Sequence, residues 1–107
     1  MDPLRGEVWE AHLPRRIGDH RVAVLTVTAL IPRLSAVTVA VITGTAGPPS
    51  THVPVDGDGG LTGYGVSYVN ATDLHTLGKA QLHKRRGLLS LGEMIRLEEA
   101  VRLYLGL

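Results

Sequence analysis

Two basic residues and one hydroxyl stand at matching ends of two apolar runs. His20 and Arg21 open the run HRVAVLTV, and Thr43 closes the run AVTVAVIT. Arginine carries a planar cation that forks onto phosphate oxygens, but it scarcely deprotonates and so makes a poor base. Histidine, with a reference pKa of about 6.5, transfers protons near neutral pH. A threonine hydroxyl donates one hydrogen bond and accepts others. Together these groups hold an anion, move a proton and steady an oxygen. Taken by residue type alone, a His-Arg pair beside a turn is more often a solvated strand end, and a threonine closing a strand is more often a structural hydroxyl. The elements that position them therefore decide the matter.

Those elements read as strands. Successive side chains of a strand point to opposite faces, so His20, Val22, Val24 and Thr26 share one face and Arg21, Ala23, Leu25 and Val27 the other. Val37, Val39 and Val41 lead in phase to Thr43, with Thr38, Ala40 and Ile42 opposite. Both faces are largely apolar, which fits strands buried inside a sheet with polar chemistry pushed to its mouth. Antiparallel pairing around the connection TALIPRLS, whose Pro32 excludes it from a central ladder, sets the head of one strand beside the tail of the other. His20, Arg21 and Thr43 then cluster at one end of the sheet.

The rest of the chain supplies a scaffold. Leu4 to Leu13 reads as a strand, with Trp9, Ala11 and Leu13 on one face and Trp9 as a core anchor. Pro14 ends it, and Arg15 to Asp19 form a basic turn. Beyond Thr43, GTAGPPS is a surface loop placed to touch a substrate. Thr51 to Val55 is a short strand. DGDGGLTG, from Asp56 to Gly63, resembles a calcium loop only superficially, since the later oxygen ligands and the closing glutamate are missing; a glycine turn is the better reading. Tyr64 to Leu77 is β-rich with polar interruptions at Asn70, Thr72, Asp73 and His75, and LHKRRGLL reads as a basic edge strand. Ser90 and Glu93 form a capping box that opens a helix with Met94, Leu97, Val101 and Tyr104 on its apolar stripe, and Gly106 stops it. The expected class is mainly β (α+β): five or six short strands in a small, strongly bent antiparallel barrel or curled sheet with a C-terminal amphipathic helix.

At 107 residues the chain reads as a single domain, 1–107. It has no Cys, which rules out disulfides and thiolate metal sites and points weakly to an intracellular location. His12, His52 and His75 lack metal-ligand spacing, so no metal and no cofactor are expected. A net charge of +1 and a pI near 8.2 do not announce a nucleic-acid binder. Local charge is more informative, with one basic patch at Arg15, Arg16, His20 and Arg21 and a second from Lys79 to Arg86. No signal peptide is expected, and no apolar segment approaches the ~20 residues of a membrane helix.

Three stretches together, RGEVW at Arg5 to Trp9, AVIT at Ala40 to Thr43 and VNATDLHTLGKAQL at Val69 to Leu82, resemble the MazF/PemK family of toxin endoribonucleases of type II toxin–antitoxin systems. The resemblance covers nearly the whole chain. It implies an SH3-like barrel, shared with CcdB-type gyrase poisons, and metal-independent, sequence-selective cleavage of single-stranded RNA or mRNA. It also implies a cytoplasmic homodimer, not bound to membrane, that is held in check by a cognate MazE-like antitoxin threading a disordered acidic segment along the basic groove. The family's catalytic pair is an arginine, usually followed by proline, at the head of the second strand and a threonine or serine at the end of the third. Thr43 matches the second member. Counting back from it without a gap puts His20 on the arginine position, so GDHRVAV stands where Gly-x-Arg-Pro-Val is expected; a one-residue deletion in TALIPRLS would make Arg21 the equivalent instead. Asp73 stands where the family commonly carries glutamine or asparagine.

RNA cleavage without metal uses the 2′-hydroxyl as nucleophile. The protein must help remove its proton, stabilise charge on the phosphorus oxygens and protonate the leaving 5′-oxygen. On this reading His20 is general acid or base, Arg21 the phosphate clamp and Thr43 a hydrogen-bond donor to the phosphate. Neighbouring strand residues face opposite ways, so His20 and Arg21 reach one phosphate only if the strand ends at or before His20. Arg15, Arg16, Thr45, Asp73 and His75 are the candidate RNA-binding residues, with Tyr64 and Tyr68 available for base stacking. Two other readings stand beside this one: a non-enzymatic gyrase poison on the same barrel, and an RNA- or protein-binding SH3-like module that has lost activity.

Overall fold

The computed structural model describes residues 1–56 and 66–107. Most of the expected glycine turn and Tyr64 lie outside the described residues. Within them, six strands precede one helix: β1 (Glu7–His12), β2 (Asp19–Val24), β3 (Ala36–Thr43), β4 (His52–Val55), β5 (Ser67–Gly78), β6 (Leu82–Leu88) and α1 (Leu91–Leu105). Pro32 sits in a 3-10 turn, Ile31–Arg33, between β2 and β3. All pairings are antiparallel, in the order β4-β5-β3-β2-β1-β6. The basic strand β6 is an edge, as its Lys and Arg content leads one to expect. The other edge, β4, carries the exposed Pro54, which a central ladder would not tolerate.

Alternation of apolar side chains builds two cores from one sheet. On one face Val8, Ala23, Ala40, Ile42, Val53, Val69 and Ala71 pack with Leu97 and Ala100 of α1. On the other, Ala11, Val22, Val24, Val37, Val39 and Val41 pack with Leu13, Ile31, Leu77 and Leu82. A single helix covers only the first face. The second is sealed by curling of the sheet and by the connections that carry Leu13 and Ile31, which is why the bent form is required. Among the described residues β4 and β6 end the sheet without pairing to each other, so of the two expected forms, barrel or curled sheet, the fold takes the open, curled one. Trp9 packs half-buried against the second core.

β5 changes face midway. Its ladder with β3 jumps from Ala40↔Leu74 to Val41↔Asn70, leaving Ala71, Thr72 and Asp73 as a bulge. Asn70 Oδ1 accepts from Thr72 N (2.9 Å) and Thr72 Oγ1 (2.7 Å), a side-chain turn that holds the bulge. An odd insertion reverses the alternation. Val69 and Ala71 face the helix-side core before it, and Leu77 faces the second core after it.

The helix starts as its capping box predicts. Ser90 Oγ accepts from Glu93 N (3.1 Å), Glu93 Oε1 accepts from Ser90 N (2.8 Å), and Glu93 Oε2 also takes Asp56 N (3.1 Å), tying the cap to the end of β4. Gly106, at φ 73°, ends it in the left-handed conformation that suits glycine. The buried face runs through Glu93, Leu97 and Ala100, with Met94 and Val101 beside it; Tyr104, expected in the stripe, is 50% exposed. Glu7, buried at the start of β1, accepts from Leu4 N (2.7 Å), Trp9 Nε1 (3.2 Å) and Arg85 Nε (2.6 Å). Burial pushes its carboxyl up, but these donors, Arg85 foremost, outweigh that and hold it below the usual glutamate range.

Candidate active site

The β2–β3 ladder pairs Val22 with Val41, Ala23 with Ala40 and Val24 with Val39. Carried on by the same antiparallel count, it sets His20 opposite Thr43 and Arg21 opposite Ile42. His20 and Thr43 thus share the face of the second core, at the end of the sheet where that core stops. On its other side β2 stays paired with β1 as far as Asp19, with Ala11↔His20 and Glu10↔Arg21. The strand therefore does not end before His20, and Arg21 leaves from the opposite face. Both residues nevertheless line one polar pocket of about 210 Å³ with Glu10, Asp19 and Ile42.

The polar groups at this mouth differ in how they are held. His20 Nε2 is buried and makes no hydrogen bond to any described residue. Thr43 is half-buried, and its Oγ1 accepts from Thr45 N at 3.1 Å, which fixes the start of the loop after β3 and leaves the hydroxyl proton to donate elsewhere. Two carboxylates rim the pocket: Glu10 Oε2 lies 3.3 Å from Arg86 Nη1 and Asp19 Oδ2 lies 3.1 Å from His83 Nδ1. Sequence reasoning passed over Glu10. Its position opposite Arg21 comes from strand register, and no local motif signals it.

The remaining candidates gather elsewhere. In the β1–β2 turn, Arg15 takes φ 63°, a left-handed conformation uncommon outside glycine, and is exposed. Next to it, Arg16 Nη2 reaches across to the β5 bulge, donates to Asp73 Oδ1 at 3.1 Å and lies in ion-pair contact with Oδ2 at 3.0 Å. Asp73 Oδ1 also takes His75 Nε2 at 2.9 Å. The candidate residues therefore form two groups: His20, Arg21, Thr43 and Thr45 at the strand mouth, and Arg16, Asp73 and His75 further along the sheet.

Comparison with known proteins bears on what such a mouth does. A family model described as PemK-like, MazF-like toxin of type II toxin–antitoxin system matches residues 4–105. No curated protein matches the chain by sequence. Among solved structures, an endoribonuclease from a mycobacterial species, in complex with its cognate antitoxin, is 30% identical, with 98% of this chain and 96% of that chain covered and a TM-score of 0.86. Another mycobacterial endoribonuclease is 28% identical, over 100% and 94% of the two chains, at a TM-score of 0.84. The toxin MazF-mt6 of Mycobacterium tuberculosis is 31% identical, over 94% and 97%, at 0.83. With nearly its whole length accounted for by the family model, the chain belongs to the PemK-like, MazF-like toxins of type II toxin–antitoxin systems.

Proposed function

We propose that this toxin is a metal-independent, sequence-selective endoribonuclease that cuts single-stranded RNA, mRNA included, by attack of the RNA's own 2′-hydroxyl. What carries the reading is the β2–β3 register, which carried on from Val22↔Val41 brings His20 opposite Thr43, beside a polar pocket that His20 and Arg21 line. Structural relatives named as endoribonucleases support it. In the step itself the 2′-oxygen forms a bond to phosphorus while the bond from phosphorus to the 5′-oxygen breaks, giving a 2′,3′-cyclic phosphate and a 5′-hydroxyl. The His20 imidazole, whose buried Nε2 has no hydrogen-bond partner among the described residues, serves as the proton-transfer group: it takes the 2′-hydroxyl proton or gives one to the leaving 5′-oxygen, and water exchanges the other proton. Arg21, although it leaves β2 from the opposite face, reaches the phosphate oxygens through the pocket it shares with His20 at the strand mouth, where charge gathers in the transition state. Thr43 donates its hydroxyl proton to a phosphate oxygen, and its bond from Thr45 N keeps it aimed.

The protein works as a homodimer in the cytoplasm and is inhibited by a MazE-like antitoxin. The relative solved with its cognate antitoxin supports the inhibitor. An apolar groove of about 460 Å³ beside the end of α1, bounded by Leu25, Leu30, Val101, Leu105 and Leu107, supports a second copy as partner, since monomers rarely leave such surface uncovered. No helix among the described residues is long and apolar enough to cross a membrane. The test is incubation of the purified protein with a long single-stranded RNA in excess EDTA, with Thr43→Ala as control. Cuts at a recurring short sequence, absent from the variant, are expected. Intact RNA across a wide range of substrates would overturn the reading.

A further inference from the structure

The second cluster is built differently from the first. Arg16 and Asp73 lie on separate elements, and the bulge of β5 places the carboxylate where a regular strand would not. Asp73 takes one guanidinium nitrogen of Arg16 and His75 Nε2. Arg16 Nε and Nη1 carry no bond to a described residue. The cluster is open to solvent, with 37%, 26% and 24% of the Arg16, Asp73 and His75 side chains exposed. His75 pairs with Val39, four residues before Thr43 on β3, so it shares the face of His20 and Thr43 at ~13 Å along the strand.

Charge and hydrogen-bond capacity together select a ligand. Asp73 offsets the charge of Arg16, so a phosphate gains little there and meets a carboxylate; a neutral base edge does not. With Nε2–H donated to Asp73, neutral His75 presents Nδ1 as an acceptor. Asp73 Oδ2, in ion-pair contact with Arg16 Nη2 at 3.0 Å while both hydrogen bonds fall on Oδ1, keeps lone pairs with which to accept. The cluster therefore offers donors from Arg16 and two acceptors. Among the RNA bases only guanine has the complement on its Watson–Crick edge: one acceptor, O6, and two donors, N1–H and N2–H. Uracil has one donor between two acceptors, and adenine and cytosine lead with a donor. Unpaired RNA exposes these edges to side chains.

We propose that Arg16, Asp73 and His75 form a guanine subsite that reads one base at a fixed position relative to the cut. This rests on the ribonuclease reading above. Arg16 donates to O6, and Asp73 and His75 accept from N1–H and N2–H. Asp73 is also a positioning residue, since it holds the other two.

The experiment is cleavage of a randomised single-stranded RNA by the full-length protein, read as the ratio of cutting with guanine to cutting with each other base at every position. The wild type should favour guanine by about tenfold at one position, as expected for a multidentate base contact. Inosine there, which lacks the N2 amino group, should cost part of that preference. Arg16→Ala and Asp73→Asn should bring the ratio close to one. A wild type with no guanine preference, or variants in which cutting at all sequences falls together with the ratio intact, would overturn the subsite and leave a clasp that only fixes the β1–β2 turn. If the wild type cuts no RNA, the ribonuclease reading fails instead. Anisotropy of short labelled oligonucleotides then decides the subsite: severalfold tighter binding of guanine than of adenine, lost in Arg16→Ala, sustains it, and equal binding refutes it.

Discussion

Replacing His20 with leucine should make the protein more stable and less active. The Nε2 atom is buried without a hydrogen-bond partner among the described residues. A buried polar atom left unsatisfied costs roughly 1–3 kcal/mol. The rest of His20 is only half-buried, so the low end applies, and an apolar side chain of similar size gains about 1 kcal/mol by the same reasoning. For a domain of about 100 residues that raises Tm by about 4 °C. The same variant should lose about 10²–10⁴-fold in RNA cleavage, the usual worth of a proton-transfer group. Thermal melts followed by circular dichroism and an oligonucleotide cleavage assay on one preparation measure both. The reasoning is an exchange of stability for function, of the kind active sites make. A lower Tm for His20→Leu would mean that the ring contributes structural hydrogen bonding, and unchanged cleavage would remove it from the chemistry.

Thr43→Val keeps the shape of the side chain and removes the donor; single-turnover cleavage should fall by about 10²–10³, as for loss of one transition-state hydrogen bond, while the exposed Thr45 N–H turns to water and Tm hardly moves. Glu7 has its carboxyl held below the ordinary value in the folded protein, so the stability it contributes is present above the unfolded carboxylate pKa and is lost as pH falls through the folded one. Denaturant midpoints of the wild type should therefore drop as pH goes below about 4.3, and Glu7→Gln, less stable at neutral pH, should show a flatter acid limb. Leu97→Ala empties a fully buried position between α1 and the sheet and should cost about 2–5 kcal/mol, seen as a lower urea midpoint with unchanged slope.

What the sequence discloses here is whatever local pattern encodes. The period-two alternation of β1, β2 and β3 assigns each apolar residue to its core, because burial of one face leaves the register little freedom. The helix start is equally plain, since Ser90 and Glu93 satisfy each other within one turn. Other features depend on distant parts of the chain. The β5 bulge comes from Asn70 folding back on Thr72 while the strand pairs with β3, so Asp73 and His75 could be singled out as polar interruptions but not assembled with Arg16, 57 residues earlier than Asp73. Glu10 reaches the polar pocket only because strand register sets it opposite Arg21. Tyr104 fits the helical period but is half exposed in the last turn, since periodicity carries no information about what is left to pack against. Whether the sheet closes depends on its two edges, β4 and β6, and neither strand's sequence refers to the other.

The central claim is that the RNA supplies its own nucleophile to groups at the mouth of β2 and β3. The most direct test is a short RNA containing one preferred site, compared with the same strand carrying a single 2′-deoxy substitution on the nucleotide 5′ to the cut, both in excess EDTA. The account predicts that the all-ribose strand yields a 2′,3′-cyclic phosphate and a 5′-hydroxyl, and that the substituted strand stays intact. Cleavage of the substituted strand at the same position would contradict it, because attack would then have to come from water.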